Sequence, residues 1–168
     1  MVDLPQTGTR MTAAEYSRIP ETLESIQLID GVVFRPSSPK DTHQSPLLKI
    51  VFLLDEFQRG RIHAGVDNLY LSQNIVVQPD IMLVRPNNPD CTLGEDGYWH
   101  GAPDLVVEVL SPGTASLDRG RKFQLYAQHG VREYWLVDPQ AQFIEVFTPQ
   151  NSQFIQQGLY TIDATLTS

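Results

Sequence analysis

Residues 104–110 constrain the fold most, because they form a short, nearly continuous apolar run with several β-branched members. This composition is typical of a strand covered on both faces, so we expect it to lie centrally in a sheet. Glu108 interrupts the run. An ionised carboxylate in such surroundings loses much of its solvation free energy unless a cation pairs with it. The run alone leaves two interpretations open: a functional carboxylate beside a positive group, or a structural one that faces water or pairs with an arginine.

The chain length favours one domain over residues 1–168, since a chain of this size can bury a core without disulfides or structural metal. Apolar residues make up 41% and charged residues 19%, which excludes a disordered or collagen-like chain. We expect residues 1–10 to be flexible, since they lack an apolar pattern.

The charge balance limits the partners. Twelve Lys and Arg residues stand against 20 Asp and Glu residues, for a formal charge of −8. This is the opposite of what sequence-independent DNA coating requires, so any contact with DNA must be local. No apolar run approaches the roughly 20 residues that span a bilayer, and no signal peptide is recognisable. Together with the single Cys91, this predicts a cytoplasmic protein without a membrane partner.

Local signals near the start of the chain are specific. Thr12-Ala-Ala-Glu15 is a capping box that opens a short helix, and Pro20 closes that helix. Asp30-Gly31 between two apolar runs predicts a hairpin with a two-residue turn, because glycine accepts a positive φ.

The remaining elements predict the α/β class, with helices packed against a mixed β-sheet. One long helix is expected to begin at Ser45 and Pro46 and to end at Gly60, and a second runs from Ser116 to about His129. Residues 85–101 are expected to form a loop. Further strands are expected at residues 68–72, 74–77, 81–84, 104–110, 133–138 and 143–148.

Asp80 is a better partner for Glu108 than Asp104 is. On a strand, Asp104 shares a face with Glu108, but at ~3.3 Å per residue it lies about 13 Å away, too far to share a metal ion. Asp80 opens the predicted strand at 81–84. Two facing carboxylates repel each other unless a hard divalent cation joins them, and oxygen ligands suit Mg²⁺ or Mn²⁺. The alternative is that Asp80 is only a strand-entry residue.

Several motifs in combination resemble the Uma-type restriction-endonuclease family, over the chain from Glu24 to Phe147. That family resembles the larger restriction-endonuclease-like (PD-(D/E)XK) superfamily, whose motif is a Pro-Asp strand followed by a strand with an acid, any residue and Lys. The resemblance implies a restriction-endonuclease-like mixed β-sheet flanked by helices. It is carried by Leu28-Ile29-Asp30-Gly31, His43, Pro79-Asp80, residues 103–112, Asp118, Lys122, Tyr126 and residues 130–139.

The resemblance also implies a metal site. Asp80 and Glu108 become the metal-binding carboxylates, with the backbone carbonyl of Val109 as a third ligand. Lys122, on the helix that follows, takes the role of the catalytic lysine. Asp118 lies four residues before Lys122, so it shares a helix face and can help to hold the ammonium group. Outside this context Lys122 would be read as a solvated helix residue.

Two positions depart from the family pattern. The superfamily lysine would fall at position 110, where this chain has Leu110. The family usually has Glu just before the Leu-Ile-Asp-Gly segment, and here that position is Gln27. An amide brings no negative charge to a cation, so reduced metal affinity is expected.

Other residues are candidates for supporting roles, and four of the 12 basic residues, Arg119, Arg121, Lys122 and Arg132, fall within 14 positions. Arg119 and Arg121 are candidates for phosphate binding, and the alternative for both is ion pairing on a solvated helix face. The accessory candidates are Gln27, His43, Asp104, Ser111 and Tyr126.

We therefore expect a Mg²⁺- or Mn²⁺-dependent endonuclease that hydrolyses DNA, with Asp80, Glu108 and Lys122 as catalytic residues and with a homodimer as one possible assembly. The alternative from another class is a catalytically silent module that keeps the fold for binding or assembly. Hydrolysis of another phosphodiester is a third interpretation. Fold alone does not decide among them.

Overall fold

A computed structural model describes residues 4–36, 41–57, 61–64 and 67–161, and within these ranges the strands form two mixed six-stranded sheets. In the first sheet the strand order is β2-β1-β5-β4-β8-β7, and β4 and β8 are its parallel pair. The sequence predicted a single mixed sheet flanked by helices, and the α/β class is confirmed. The strands of the first sheet are β1 (Gln27–Ile29), β2 (Val32–Phe34), β4 (Leu69–Ser72), β5 (Ile75–Val77), β7 (Cys91–Leu93) and β8 (Trp99–Gly101).

The second sheet carries the central strand that the sequence predicted. Its order is β12-β11-β10-β9-β6-β3, in which β9 and β10 are parallel and the other described pairs are antiparallel. All five residues of β9 are buried, which confirms a strand covered on both faces. The strands are β3 (Arg61–Ala64), β6 (Ile81–Val84), β9 (Leu105–Val109), β10 (Tyr134–Asp138), β11 (Phe143–Gln150) and β12 (Gln153–Thr161).

The described helices are α1 (Ala13–Tyr16), α2 (Asp41–Phe57), α3 (Ala115–Leu117) and α4 (Phe123–Gln128), with a π-helical turn (Asp118–Lys122) that joins α3 to α4. The capping box predicted at Thr12 is present, with both reciprocal hydrogen bonds. No helix among the described residues is long and apolar enough to cross a membrane.

Both long helices begin earlier than predicted. The first was expected to start at Ser45 and Pro46, but α2 starts at Asp41 and Pro46 lies inside it. Burial of Ile50 and Leu54 against the second sheet stabilises this helix, and such packing commonly outweighs local preference. The second was expected to start at Ser116, but Thr114 occupies the N-cap position.

Three parts of the sheets were not predicted, and one of them is strand β3 at residues 61–64. Residues 85–101 were expected to be a loop, but they contain the hairpin of β7 and β8. These strands have three residues each, too short to show an alternating pattern. Strand β12 was missed because it is largely polar and exposed, as an edge strand can be.

Three apolar clusters hold the layers together. The largest joins the two sheets and the helical segment 115–128, with Ile29, Val106 and Leu125 among its members. A second packs α2 on the other face of β9, and a third packs α1 on the first sheet. Successive residues of β9 therefore alternate between the first two clusters, so Val106 and Glu108 face the helical segment 115–128.

Part of the segment that was expected to be flexible is attached to the first sheet. The N–H group of Gly8 donates to the carbonyl of Val33 at 2.9 Å, and the N–H group of Val33 donates to the carbonyl of Thr9 at 2.8 Å. Residues 8–10 thus continue the pairing of β2, and residues 1–3 lie outside the described ranges.

Gly101 ends β8 with a backbone that excludes other residues. Its φ is +99°, and a Cβ atom there would lie 1.9 Å from the carbonyl oxygen of Asp90. Gly97 has a similar φ of +81° with nothing within 4 Å of its virtual Cβ. We expect Gly101→Ala to lower the free energy of unfolding by about 1–3 kcal/mol more than Gly97→Ala, measured by urea denaturation, since only the first adds a steric clash. Equal losses would show that the hairpin accommodates the methyl group.

Candidate active site

Strand pairing brings Asp80 beside Glu108. In the antiparallel pair of β6 and β9, Ile81 lies opposite Val107, so the preceding residue, Asp80, falls opposite Glu108. The Asp80 Oδ2 atom accepts a hydrogen bond of 2.7 Å from the N–H group of Val109. Two acids that are 28 positions apart in the sequence are therefore neighbours, one immediately before β6 and the other on β9.

Glu108 is bound from the helical segment 115–128. The Lys122 ammonium lies 2.7 Å from Glu108 Oε1, and the Tyr126 hydroxyl donates to the same oxygen at 2.8 Å. The residues Glu108 and Lys122 are each 2% exposed, and Tyr126 is completely buried. The positive group that the apolar run required is therefore Lys122.

Asp118 completes this cluster. Its Oδ1 atom lies 3.3 Å from the Lys122 ammonium, and the residue is 1% exposed. Asp118 and Lys122 are the first and last residues of the π-helical turn, a type of turn that occurs frequently at functional sites. The Tyr134 hydroxyl donates to the Asp118 carbonyl at 3.0 Å and so fixes the turn on β10.

The cluster holds more acidic groups than basic ones. Its described members are three carboxylates, Asp80, Glu108 and Asp118, around one ammonium group, that of Lys122. Burial raises the pKa of Glu108 to about 8, against the opposing effect of Lys122 and with Asp118 and Asp80 adding to the rise. Burial likewise raises the pKa of Asp118.

Lys122 responds in the opposite way to its surroundings. Burial alone would lower the pKa of Lys122, but the charges of Glu108 and Asp118 outweigh that effect and raise it. The ammonium therefore stays charged. The pKa of Tyr126 is raised well above its usual value by burial and by Glu108, so its hydroxyl stays a donor.

The donor set suits a hard divalent cation. Asp80 and Glu108 supply carboxylate oxygens on adjacent strands, and Val109 can supply a carbonyl oxygen; such ligands are the kind that Mg²⁺ and Mn²⁺ prefer. Asp118 Oδ1 is buried beside them and pairs with the Lys122 ammonium at 3.3 Å. No group of three or more His, Cys, Asp or Glu side chains in the described ranges is arranged to hold a metal.

Gln27 and Leu110, the two departures from the family pattern, are both buried. Gln27 is 3% exposed, and its Oε1 atom accepts a hydrogen bond of 3.2 Å from the N–H group of Gln78, two residues before Asp80. The Gln27 amide therefore lies beside the stretch of chain that leads to Asp80 in the acid cluster, which comprises Asp80, Glu108 and Asp118. Leu110 belongs to the largest apolar cluster, where an unpaired ammonium group would be costly.

Asp104 and Ser111 have local structural partners. Asp104 lies before β9, where it accepts hydrogen bonds of 2.8 Å from the N–H group of Arg85 and from Asn88. It also pairs with Arg132 at 3.2 Å. The Ser111 hydroxyl lies 3.0 Å from that of Thr114. His43 lies within α2, but its side chain is outside the described part of the structure.

Arg119 and Arg121 both form ion pairs with acids. Arg119 lies 2.5 Å from Glu145, and Arg121 makes two hydrogen bonds of 2.5 and 2.6 Å to the carboxylate of Asp30. Asp30 lies in the turn between β1 and β2. Arg121 therefore connects the helical segment 115–128 to the first sheet. Asp30 in turn has a lowered pKa because of its hydrogen bonds to Arg121.

Sequence reasoning treated Asp118 only as a support for Lys122 and did not include Tyr134. The four-residue spacing from Lys122 was the available signal for Asp118. Tyr134 gave no such signal, because its contact is with a backbone carbonyl from a distant segment.

The buried pair makes a prediction about stability. We expect Lys122→Met to lower the free energy of unfolding by about 3–5 kcal/mol, because it leaves buried carboxylates without their counter-charge. The matched control is Arg121→Met on the same helical segment, which breaks an exposed ion pair and is expected to cost at most about 1 kcal/mol. In the double variant Glu108→Gln/Lys122→Met, part of the loss should be recovered in chemical denaturation. Additive losses would contradict coupling between the two side chains.

Comparison with known proteins identifies a solved structure with a similar fold and the family of this chain. A crystal structure described as that of "a putative nuclease belonging to DUF820", from Anabaena variabilis, is similar with a TM-score of 0.75 and 20% sequence identity, over 94% of this chain and 88% of that one. An "Uncharacterized protein slr1290" from Synechocystis sp. is 48% identical over 46 residues, which are 27% of this chain and about a quarter (24%) of that protein. Residues 13–168 match the sequence model of the Uma2 family, described as "Putative restriction endonuclease". The chain therefore belongs to the Uma2 family.

Proposed function

We propose that this protein is a divalent-metal-dependent endonuclease that hydrolyses DNA phosphodiester bonds, with Asp80, Glu108 and Lys122 as its catalytic residues. The observation that carries the proposal is the buried contact of Glu108 with Lys122, with Asp80 opposite Glu108 on the neighbouring strand. Membership of the Uma2 family and the fold similarity to a described nuclease support it.

In this proposal Asp80, Glu108 and the carbonyl of Val109 hold Mg²⁺ or Mn²⁺. When bound, such an ion polarises a phosphate and lowers the pKa of a water molecule. The raised pKa values of Glu108 and Asp118 support this assignment, because a bound cation would stabilise the ionised forms that burial and neighbouring acids disfavour.

Side chains of the helical segment 115–128 orient the catalytic groups and balance their charges. The ammonium of Lys122 offsets the negative charge that develops on the phosphate in the transition state. Asp118 and Glu108 hold that ammonium in place, and Tyr126 fixes the orientation of Glu108 through its hydrogen bond. No covalent intermediate with the protein is needed.

The contact with DNA is proposed to be local. The net charge of −8 disfavours a broad nucleic-acid surface. Arg119 and Arg121 are proposed to bind phosphates, and to do so they would exchange Glu145 and Asp30 for the phosphate oxygens. Both side chains are partly exposed, which makes that exchange sterically possible. The cytoplasmic location and the homodimer stay predictions.

A second candidate is a catalytically silent module that keeps the fold for binding or assembly. Lys122 already neutralises Glu108 inside the protein, and the two candidate phosphate-binding arginines are already paired with acids. Gln27 also removes one negative charge that the family pattern would bring. If no cation binds, these contacts favour a purely structural role for Glu108 and Lys122.

The first test is cleavage of plasmid and short duplex DNA in Mg²⁺ or Mn²⁺. We expect Asp80→Asn, Glu108→Gln and Lys122→Met each to lower the rate at least about 100-fold, because each removes a charge at the reacting phosphate. Asp55→Asn, an exposed acid on α2, is the matched control and should cleave like the parent. Cleavage that survives all three substitutions would come from a contaminant.

If the parent does not cleave, Mn²⁺ titration calorimetry separates the two candidates. A nuclease site predicts a binding event that Glu108→Gln removes and Asp55→Asn keeps. A silent module predicts no such event.

The Gln27→Glu variant tests the departure at that position. We expect it to bind Mn²⁺ about tenfold more tightly, because it adds a carboxylate next to the approach to Asp80. Without metal it should have a lower melting temperature than the parent, since the new charge is buried, and Mn²⁺ should recover that loss. An unchanged Mn²⁺ affinity would place residue 27 outside the metal's surroundings.

A further inference from the structure

A cavity of about 450 Å³ lies on the first sheet. Its lining does not include Asp80, Glu108, Asp118 or Lys122. It lies between α1, the connection from α1 to β1, and strand β4. Its walls include three tyrosines, Tyr16, Tyr70 and Tyr98, and two amide side chains, Asn68 and Gln78. A concave site with aromatic walls and a few polar groups is typical of small-ligand binding.

One polar group in this cavity wall lacks a partner. Tyr70 is 8% exposed, and its hydroxyl oxygen is buried without a hydrogen bond among the described residues. Tyr16, by contrast, donates to the carbonyl of Ile26 at 2.5 Å and lies 3.0 Å from Asn68 Oδ1. Buried hydroxyl groups are nearly always hydrogen-bonded, so the Tyr70 hydroxyl requires a partner outside the described side chains, such as water or a ligand.

The aromatic rings favour a flat ligand. The Tyr70 ring is stacked on His100 at 4.9 Å and tilted against Tyr98 at 5.6 Å, while Tyr16 meets it edge-on at 6.2 Å. Contacts among these rings hold the Tyr70 side chain in place. A planar ring system can gain both stacking and hydrogen bonds from such a wall.

The polar side chains hold a fixed arrangement of hydrogen bonds. Asn68 Oδ1 accepts from Gln78 Nε2 at 2.9 Å, and Gln78 Oε1 accepts from Ser25 at 2.7 Å. The amide oxygen of Asn68 is thus occupied, which leaves its N–H groups to donate. Asn and Gln amides can read the edge of a nucleobase, adenine in particular.

The charge of the walls argues against an anionic ligand. The lining includes Glu21 and Glu24 and no basic residue. Glu24 pairs with Arg35, which lies outside the lining. A phosphate would be repelled here, whereas a neutral ring would not.

The cavity is close to the acid cluster. Gln78 lines it and lies two residues before Asp80, and a chain spans at most about 7 Å over two residues. Gln78 therefore connects the cavity wall directly to Asp80 along the chain.

We propose that this cavity takes one unstacked nucleobase of a nucleic-acid strand bound at the acid cluster, with the Tyr70 hydroxyl as a hydrogen-bonding contact. This rests on the proposed function and narrows its substrate to DNA in which a base is unpaired or can leave the stack. Stacking on the tyrosines supplies affinity, and the Tyr70 hydroxyl and the Asn68 amide contribute selectivity among bases.

The test uses metal-free protein, so it does not depend on cleavage. Deoxyadenosine, deoxyguanosine, deoxycytidine and thymidine are each titrated at millimolar concentration, and NMR chemical shifts report binding. We expect at least one nucleoside to shift the resonances of Tyr16, Tyr70 and Tyr98. Tyr70→Phe should weaken that binding roughly threefold to tenfold, the effect of one lost hydrogen bond. Tyr160→Phe, a tyrosine outside the cavity, is the control and should bind like the parent.

A second measurement separates a binding role from a structural one. Because the Tyr70 hydroxyl is unsatisfied, Tyr70→Phe should leave the melting temperature unchanged or raise it. A lower melting temperature would show a structural partner for the hydroxyl and overturn its assignment. Absence of nucleoside-induced shifts at the cavity would overturn the proposal, whether or not the protein cleaves DNA. Nucleoside binding by a protein that does not cleave DNA would support the cavity and reject the catalytic assignment.

Discussion

The structure depends on one buried interaction, the contact of the Glu108 carboxylate with the Lys122 ammonium. Glu108 lies in a strand whose every residue is buried, so an unpaired charge there would destabilise the fold. Its partner comes from the helical segment that packs on the same face of the sheet. That segment must therefore dock with Lys122 pointing inward, and this fixes the positions of Asp118 and Tyr126 as well. Replacing such a buried pair with apolar residues is often neutral or stabilising, so stability alone does not account for it.

Local rules predicted a large part of the fold. The capping box at Thr12, the turn at Asp30-Gly31 and the central strand around Glu108 each depend on a few adjacent residues, so the sequence carried enough signal. The β7–β8 hairpin and the start of α2 depend on distant contacts instead. Strand β7 is held by β8 and by the close approach of Gly101 to Asp90, and neither appears as a pattern in a three-residue strand.

In the candidate site, too, some features were predicted from the sequence and others depend on distant contacts. The acid in an apolar strand pointed to a nearby cation, and the resemblance selected Asp80 and Lys122 as its companions. The sequence could not show that the π-helical turn carries Asp118 into the same buried cluster, since a turn of that type has no residue signature. Nor could it show the acids that pair with Arg119 and Arg121, which come from the β11 strand and the β1–β2 turn. Such pairings are set by how the layers pack.

The three residues 78–80 join β5 of the first sheet to β6 of the second, so the chain changes layers immediately before Asp80. The aromatic cavity belongs to one layer and the acids to the other. Substitutions that reshape the tyrosine walls can therefore accumulate without disturbing the packing around Glu108. Descendants of one ancestral chain could in this way diverge in what they recognise while keeping the same charged centre.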